Sequence, residues 1–147
     1  MQELSRARLN LYRAHGNTPT AGLIVAELNF GFWTTLLSRN YHGLLWSPNN
    51  AANLRAAFPH VPKRLFRRDA IHKRYNDLRF LRNRVMHHEP IWYRRGLAQE
   101  HHEIIEAIGW ISLTLCHSVK LFDNFPDVHS NGRSRVETSI RSHIGIP

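Results

Sequence analysis

A stripe of apolar residues spaced three and four apart runs through the middle of the chain, and it constrains the fold more than any other feature. Its members are Ile71, Tyr75, Leu78, Leu81 and Val85. This spacing places them on one face of an α-helix, because a turn contains 3.6 residues. We predict a long helix from about Arg64 to Glu89. Pro90 ends it, since proline lacks an N–H and disfavours helical geometry in the residue before it.

Helical spacing also dominates the rest of the chain. We predict helices over residues 2–14 and about 19–40, a short helix ending at 57, and a last long helix over about 97–122. Thr18 is the expected N-cap of the second helix, with Pro19 at its first position. No convincing pair of strands is found, so the predicted class is all-α.

The C-terminal part of the chain has a different character. After Pro126 the sequence is polar, and Asn131-Gly132 is typical of a turn. We therefore predict a single helical domain over residues 1–126. Residues 127–147 are predicted to form a polar C-terminal tail, with a short helix near 134–143 as its one further element.

The charge balance indicates the kind of partner. The 147 residues fit one domain and include 20 Lys and Arg against 11 Asp and Glu, giving a formal charge of +9. All but three of the cations are Arg, which stays charged and binds phosphate through two parallel hydrogen bonds. We expect a polyanion as the partner. A charge that serves only solubility and an anionic membrane surface are the alternatives.

The single cysteine and the absence of long apolar runs bear on the compartment. Cys116 lies in an apolar helical pattern, which is typical of a small core residue, and it cannot form a disulfide within one chain. The N-terminus has no apolar segment of a secretory signal, and no stretch is long enough to span a membrane. We expect a cytoplasmic protein that does not bind a membrane.

The candidate functional residues lie at the end of the long basic helix. The run from Arg82 to Pro90 reads Arg-Asn-Arg-Val-Met-His-His-Glu-Pro. An arginine can hold a phosphate, and a histidine can move protons near neutral pH. Together they suit the cleavage or binding of a phosphodiester. A solvated helix end that is basic by coincidence is the alternative.

This run carries a resemblance to a known family. Arg82-Asn83-x-x-x-His87 resembles the Arg-x(4–6)-His signature of the HEPN superfamily, and residues 81–92 resemble its version in Abi-like (abortive-infection) proteins. The apolar run over residues 26–37 is similar to a second Abi-like block. The two blocks cover roughly residues 20–95. Abi-like proteins are usually longer, so the chain resembles mainly their C-terminal half.

The resemblance implies a fold and an activity. It implies a helical bundle of about four to five helices and a metal-independent endoribonuclease that leaves a 2′,3′-cyclic phosphate. His87 and Arg82 would be catalytic, His87 taking the 2′-hydroxyl proton and Arg82 stabilising the phosphorane. The biological setting that it implies is phage defence or a toxin, with an antitoxin or regulatory partner.

Spacing adds detail around these two residues. Asn83 lies four residues before His87, so it can orient the imidazole and is included in the catalytic set. Supporting or RNA-binding roles are assigned to four neighbours: Arg79, Arg84, His88 and Glu89. Spacing alone leaves His88 open as the alternative to His87. No His or Cys pattern indicates a metal site, and no cofactor is expected.

Helical phase raises the question of a second chain. Arg82 and His87 are five residues apart, about 140° in phase on a regular helix, so they cannot both point at one phosphate. Either the helix end unwinds before Pro90, or two chains share one site. The resemblance implies the second, a homodimer with a composite cleft. The alternative function is a non-catalytic RNA- or nucleotide-binding module that uses Trp92 and Tyr93.

Overall fold

A computed structural model describes residues 2–144, apart from the side chains at positions 49, 133 and 135–137. Within this range the chain forms eight α-helices and no strand. They are α1 (Gln2–His15), α2 (Ala21–Glu27), α3 (Phe30–Leu36), α4 (Ala51–Ala57), α5 (Arg68–Met86), α6 (Leu97–Ile111), α7 (Leu113–Leu121) and α8 (Phe125–Ile144). Three 3₁₀ turns lie at Arg39–Tyr41, Pro48–Asn50 and Lys63–Leu65, and a π-type turn at His42–Trp46. The predicted all-α class is confirmed, with more helices than the four to five expected.

The extra helices arise because two predicted helices are interrupted by capping residues. Leu28 and Asn29 are extended, and Asn29 Oδ1 accepts the N–H of Phe32 at 2.8 Å, which starts α3. Ser112 is also extended; its N–H binds Ile108 O, and its hydroxyl accepts the N–H of Leu115. The side chain of Thr20, not Thr18, caps α2.

Helix α5 is shorter than predicted at both ends. It starts at Arg68 because the preceding residue, Arg67, is extended with φ −139°. It ends at Met86, three residues before the predicted Glu89. Three of the five stripe residues are buried and Leu78 packs against the core, whereas Val85 is 48% exposed. The last turn of α5 therefore projects beyond the core.

The core forms where α5 crosses α6 and the segment before α5. Its buried members are Leu37, Leu54, Phe58, Val61, Ile71, Tyr75, Ala107 and Trp110. Tyr75 Oη donates to Ala107 O at 2.7 Å, and burial raises the pKa of this phenol. Arg68 Nη1 donates to Leu37 O at 2.5 Å, which ties α5 to the end of α3.

The C-terminal region differs from the predicted tail. Residues 125–144 form one continuous helix, α8, and the predicted turn at Asn131-Gly132 lies inside it. Asp123 starts α8 by accepting the N–H of Phe125 at 3.0 Å, and it also binds His101 of α6. The last three residues of the predicted tail lie outside the described range.

Two sequence-based expectations concern other parts of the chain. Cys116 is buried as predicted, and its Sγ lies 3.5 Å from Ile105 O, where α7 packs on α6. None of the helices over residues 2–144 combines the length and hydrophobicity that crossing a bilayer requires.

Candidate functional site

The motif residues lie where α5 ends in a Schellman motif. His87 is the C-cap, and His88 adopts the left-handed conformation with φ 56°. The N–H of Glu89 donates to Arg84 O at 2.9 Å, and the N–H of His88 donates to Val85 O at 3.0 Å. These two bonds define the Schellman pattern, in which glycine usually occupies the left-handed position. The helix end is therefore fixed by backbone hydrogen bonds before Pro90 is reached.

The side chains of His87 and Arg82 are both exposed, and they do not interact with each other within the described chain. Among the described residues, neither Arg82 nor Asn83 forms a hydrogen bond with the His87 imidazole. Instead, Asn83 Oδ1 accepts a long hydrogen bond of 3.4 Å from Arg82 Nη1. The backbone N–H of His87 does bind Asn83 O, at 2.9 Å. The imidazole is consequently free to meet a ligand or another chain.

Two of the predicted supporting residues form a paired cluster beside the site. Arg84 Nε lies 3.3 Å from Glu89 Oε2, and Arg84 Nη2 donates to Tyr93 Oη at 3.1 Å. Glu89 thus neutralises part of the charge of Arg84. His88, by contrast, has an exposed side chain, and its role here is carried by its backbone.

Arg79 is held by its own helix. Its guanidinium donates two hydrogen bonds to Asn76 Oδ1, at 3.2 and 3.0 Å, and lies 4.5 Å from the centroid of the Phe80 ring. These neighbours are uncharged, so Arg79 keeps its full positive charge. It lies one turn before Arg82 on α5, where it can add to the positive potential at the helix end.

Most other cations of α5 are neutralised by carboxylates. Lys73 Nζ lies 2.6 Å from Asp77, and Arg74 Nη1 lies 2.7 Å from Glu106 of α6. The predicted basic helix is therefore not a uniform cationic surface. Arg82 has no carboxylate partner in the described part of the chain, which separates it from Arg74 and Arg84.

A second group of positive charges lies in the sequence before α5 and at its start. No Asp or Glu occurs between Glu27 and Asp69. The cations of this acid-free segment are Arg39, Arg55, Lys63, Arg64, Arg67 and Arg68. Arg67 binds Asp69, and the Arg55 guanidinium lies 3.6 Å from the centroid of the Phe66 ring. The acid-free segment is a feature that our sequence reasoning missed, although counting acids along the chain would have found it.

The loop between α5 and α6 presents an exposed aromatic side chain. Trp92 is 82% exposed, and its ring stands edge-on to Tyr93 at a centroid distance of 5.8 Å. Tyr93 is held by Arg84, and Arg94 is held by an ion pair with Glu100 of α6. The two residues that follow Trp92 are thus anchored next to an open indole face, which suits base stacking.

An apolar cavity lies on another side of the site, and no sequence pattern indicates it. Its volume is about 580 Å³, and Arg82 is among its lining residues. Aliphatic and aromatic side chains from α5, the loop that follows it, α6 and the starts of α3 and α8 form the remaining wall, together with His101. Because these residues are far apart in sequence, only the tertiary fold brings them together.

The described residues offer no cluster of three or more His, Cys, Asp or Glu side chains that could hold a metal ion. The adjacent histidines of α6 do not act together, because His101 Nε2 binds Asp123 at 3.0 Å while His102 is exposed. No protein-family model, curated protein or solved structure matches the chain. The site is therefore interpreted from its own geometry.

Proposed function

We propose that the chain is a metal-independent endoribonuclease with a HEPN-like fold, in which Arg82 and His87 carry the chemistry. The observation that supports this most is the state of Arg82. Among the described residues it has no carboxylate partner, and an exposed imidazole stands a few residues away where the helix ends. An unpaired guanidinium keeps its donors available for a phosphate.

The reaction follows from these two groups. The His87 imidazole takes the proton of a ribose 2′-hydroxyl, and the 2′-oxygen forms a bond to the adjacent phosphorus. Arg82 donates to the phosphoryl oxygens, where negative charge accumulates. The bond from phosphorus to the 5′-oxygen breaks, and this oxygen takes a proton from a second imidazole or from water. The products are a 2′,3′-cyclic phosphate and a 5′-hydroxyl, and DNA is not a substrate because it lacks the 2′-hydroxyl.

We propose a symmetric homodimer as the active form. Arg82 and His87 do not meet within one chain, and the helix end is closed by its Schellman bonds rather than unwound. A two-fold axis near the end of α5 would place Arg82 of one chain beside His87 of the other. Arg79 would add positive charge to this cleft, and Asn83 would orient Arg82 through its amide oxygen.

The setting proposed for this activity is the bacterial cytoplasm, in phage defence or as a toxin with an antitoxin or regulatory partner. It rests on the resemblance of residues 26–37 and 81–92 to Abi-like proteins.

The test is RNA cleavage in the presence of EDTA by the wild-type chain, His87→Ala and His88→Gly. We expect cyclic phosphate ends from wild type and a loss of about 10²–10⁴-fold in His87→Ala. His88→Gly tests the other histidine of the motif, because glycine fits the left-handed position and leaves His87 in place; loss of cleavage in this variant would assign the proton transfer to His88. Wild-type rates in a folded His87→Ala chain, or loss of cleavage in EDTA, would contradict the proposal.

A non-catalytic RNA-binding module is the second candidate, and the exposed Trp92 favours it. An indole on an anchored loop stacks with unpaired bases of any sequence. The same assay separates the two functions. RNA that is bound but stays intact, with affinity lost in Trp92→Ala and kept in His87→Ala, would select the binding module.

A further inference from the structure

The cavity beside Arg82 has the size and composition of a small-molecule site. Its volume of about 580 Å³ falls in the range of roughly 300–1,000 Å³ that ligand pockets occupy. Its wall includes Leu78, Val85, Ile91, Leu97 and Ile104. Such a wall offers almost no hydrogen-bond partners, so it selects for a ligand with an apolar body.

The two polar residues of the wall differ in availability. His101 is already engaged, because its Nε2 binds Asp123 at 3.0 Å and its ring stacks on Phe125 at a centroid distance of 4.2 Å. Arg82 is exposed, and its one hydrogen bond to a described residue is long, at 3.4 Å to Asn83 Oδ1. A long arginine side chain commonly lays its methylene stem along apolar surface while the guanidinium stays in water. Arg82 therefore offers one positive charge at the edge of an apolar space.

We propose that this cavity binds a monomeric single-chain amphiphile with one anionic group, its alkyl body in the cavity and its carboxylate or phosphate on Arg82. The charge complementarity is one to one, because Arg82 is the one unpaired cation among the lining residues. Each buried methylene contributes about 0.8 kcal/mol to the binding free energy, so an alkyl chain of about ten carbons lying along the wall gains substantially from burial.

A nucleobase fits this cavity less well. Every base carries several hydrogen-bonding groups on its edges, and burying such a group without a partner costs free energy. The cavity walls leave those groups unpaired. Both proposals place an anion on Arg82, but this one does not require the ribonuclease activity, since binding is measured directly and without RNA.

The test is titration calorimetry of the intact chain with decanoate, kept below its critical micelle concentration, and with decanol as the uncharged probe. We expect one decanoate per chain, bound more tightly than decanol. Arg82→Gln should weaken decanoate about tenfold, to the level of decanol, because one charge-assisted hydrogen bond is lost. Arg95→Gln is the matched control, since it removes the same charge from an exposed arginine that does not line the cavity.

A second variant tests the cavity itself. Val85 is 48% exposed and lines the cavity, so Val85→Trp should fill the space without disturbing the buried core. We expect this variant to bind neither probe while keeping its circular dichroism spectrum. Equal decanoate affinity in Arg82→Gln and Arg95→Gln would overturn the proposal. The proposal would also be overturned if light scattering showed a wild-type dimer and that dimer did not bind decanoate. This result would assign the cavity to contact with a second copy of the chain.

Discussion

At the scale of single residues, His88 has a backbone role that its side chain does not suggest. Its φ of 56° closes the Schellman motif at the end of α5. The left-handed conformation costs a residue with a Cβ about 1–2 kcal/mol, whereas glycine adopts it freely. Spacing left open which of the two histidines is catalytic. The structure distinguishes them by backbone position, because His87 is the C-cap and His88 is the left-handed residue after it.

We predict that His88→Gly raises the free energy of unfolding by about 0.5–1 kcal/mol. Relief of the left-handed strain outweighs the larger entropy that glycine gives the unfolded chain. Urea denaturation followed by circular dichroism measures the change. His88→Ala is the control, because alanine keeps the Cβ and gains nothing at this position. Equal midpoints for the two variants would show that strain at His88 is unimportant.

His72 on α5 links stability to pH. Burial lowers its pKa below the usual 6.5, and the positive charges of Arg68 and Arg79 lower it further. Below about pH 6.5, His72 therefore binds a proton more readily in the unfolded chain than in the folded chain. The folded chain is therefore most stable above the pKa that His72 has in the unfolded state. Its free energy of unfolding decreases as pH falls from that value through the lower pKa that His72 has in the folded state.

We expect His72→Gln to reduce this acid sensitivity. The melting temperature of wild type should fall more between pH 7.5 and 5.5 than that of His72→Gln, because the variant has no group to protonate at this site. Differential scanning calorimetry in matched buffers gives both values. The same loss in both chains would mean that other histidines account for the pH dependence.

At the scale of elements, the helical class and the approximate positions of α1, α4, α5 and α6 follow from apolar spacing together with helix-ending residues such as Pro90. The interruptions at Asn29 and Ser112 do not, because the apolar spacing continues across a break of one or two residues. Both are good N-cap residues, so a signal was present. The partners of Arg74 and Arg84 could not be predicted, since they depend on how α6 and the loop pack against α5.

The cap of α3 can be tested directly. We predict that Asn29→Ala lowers the free energy of unfolding by about 1 kcal/mol, because the N–H of Phe32 loses its acceptor. Asn29→Asp should retain most of the stability, as aspartate caps equally well. Since α3 begins with Phe30, which lines the cavity, loss of the cap should also weaken decanoate binding. A neutral Asn29→Ala would show that packing alone holds α3.

At the scale of the whole molecule, the central question is whether one site draws on two chains. We predict that Arg82→Ala and His87→Ala chains are each inactive and that mixing them restores cleavage. Random exchange yields half heterodimers with one complete site each, so about a quarter of wild-type activity should return. Light scattering at micromolar concentration establishes the dimer first. No recovery in an exchanged mixture would place both residues in the same chain's site.

The acid-free segment has a consequence for how fast a partner is found. The acidic side chains that form ion pairs in the described part of the chain all lie at Asp69 or after it. The positive charge is therefore unevenly distributed along the chain, and residues 28–68 attract an approaching polyanion most strongly. Such long-range attraction acts on the collision rate more than on the lifetime of the complex. Added salt should accordingly slow the association of RNA while its dissociation changes less.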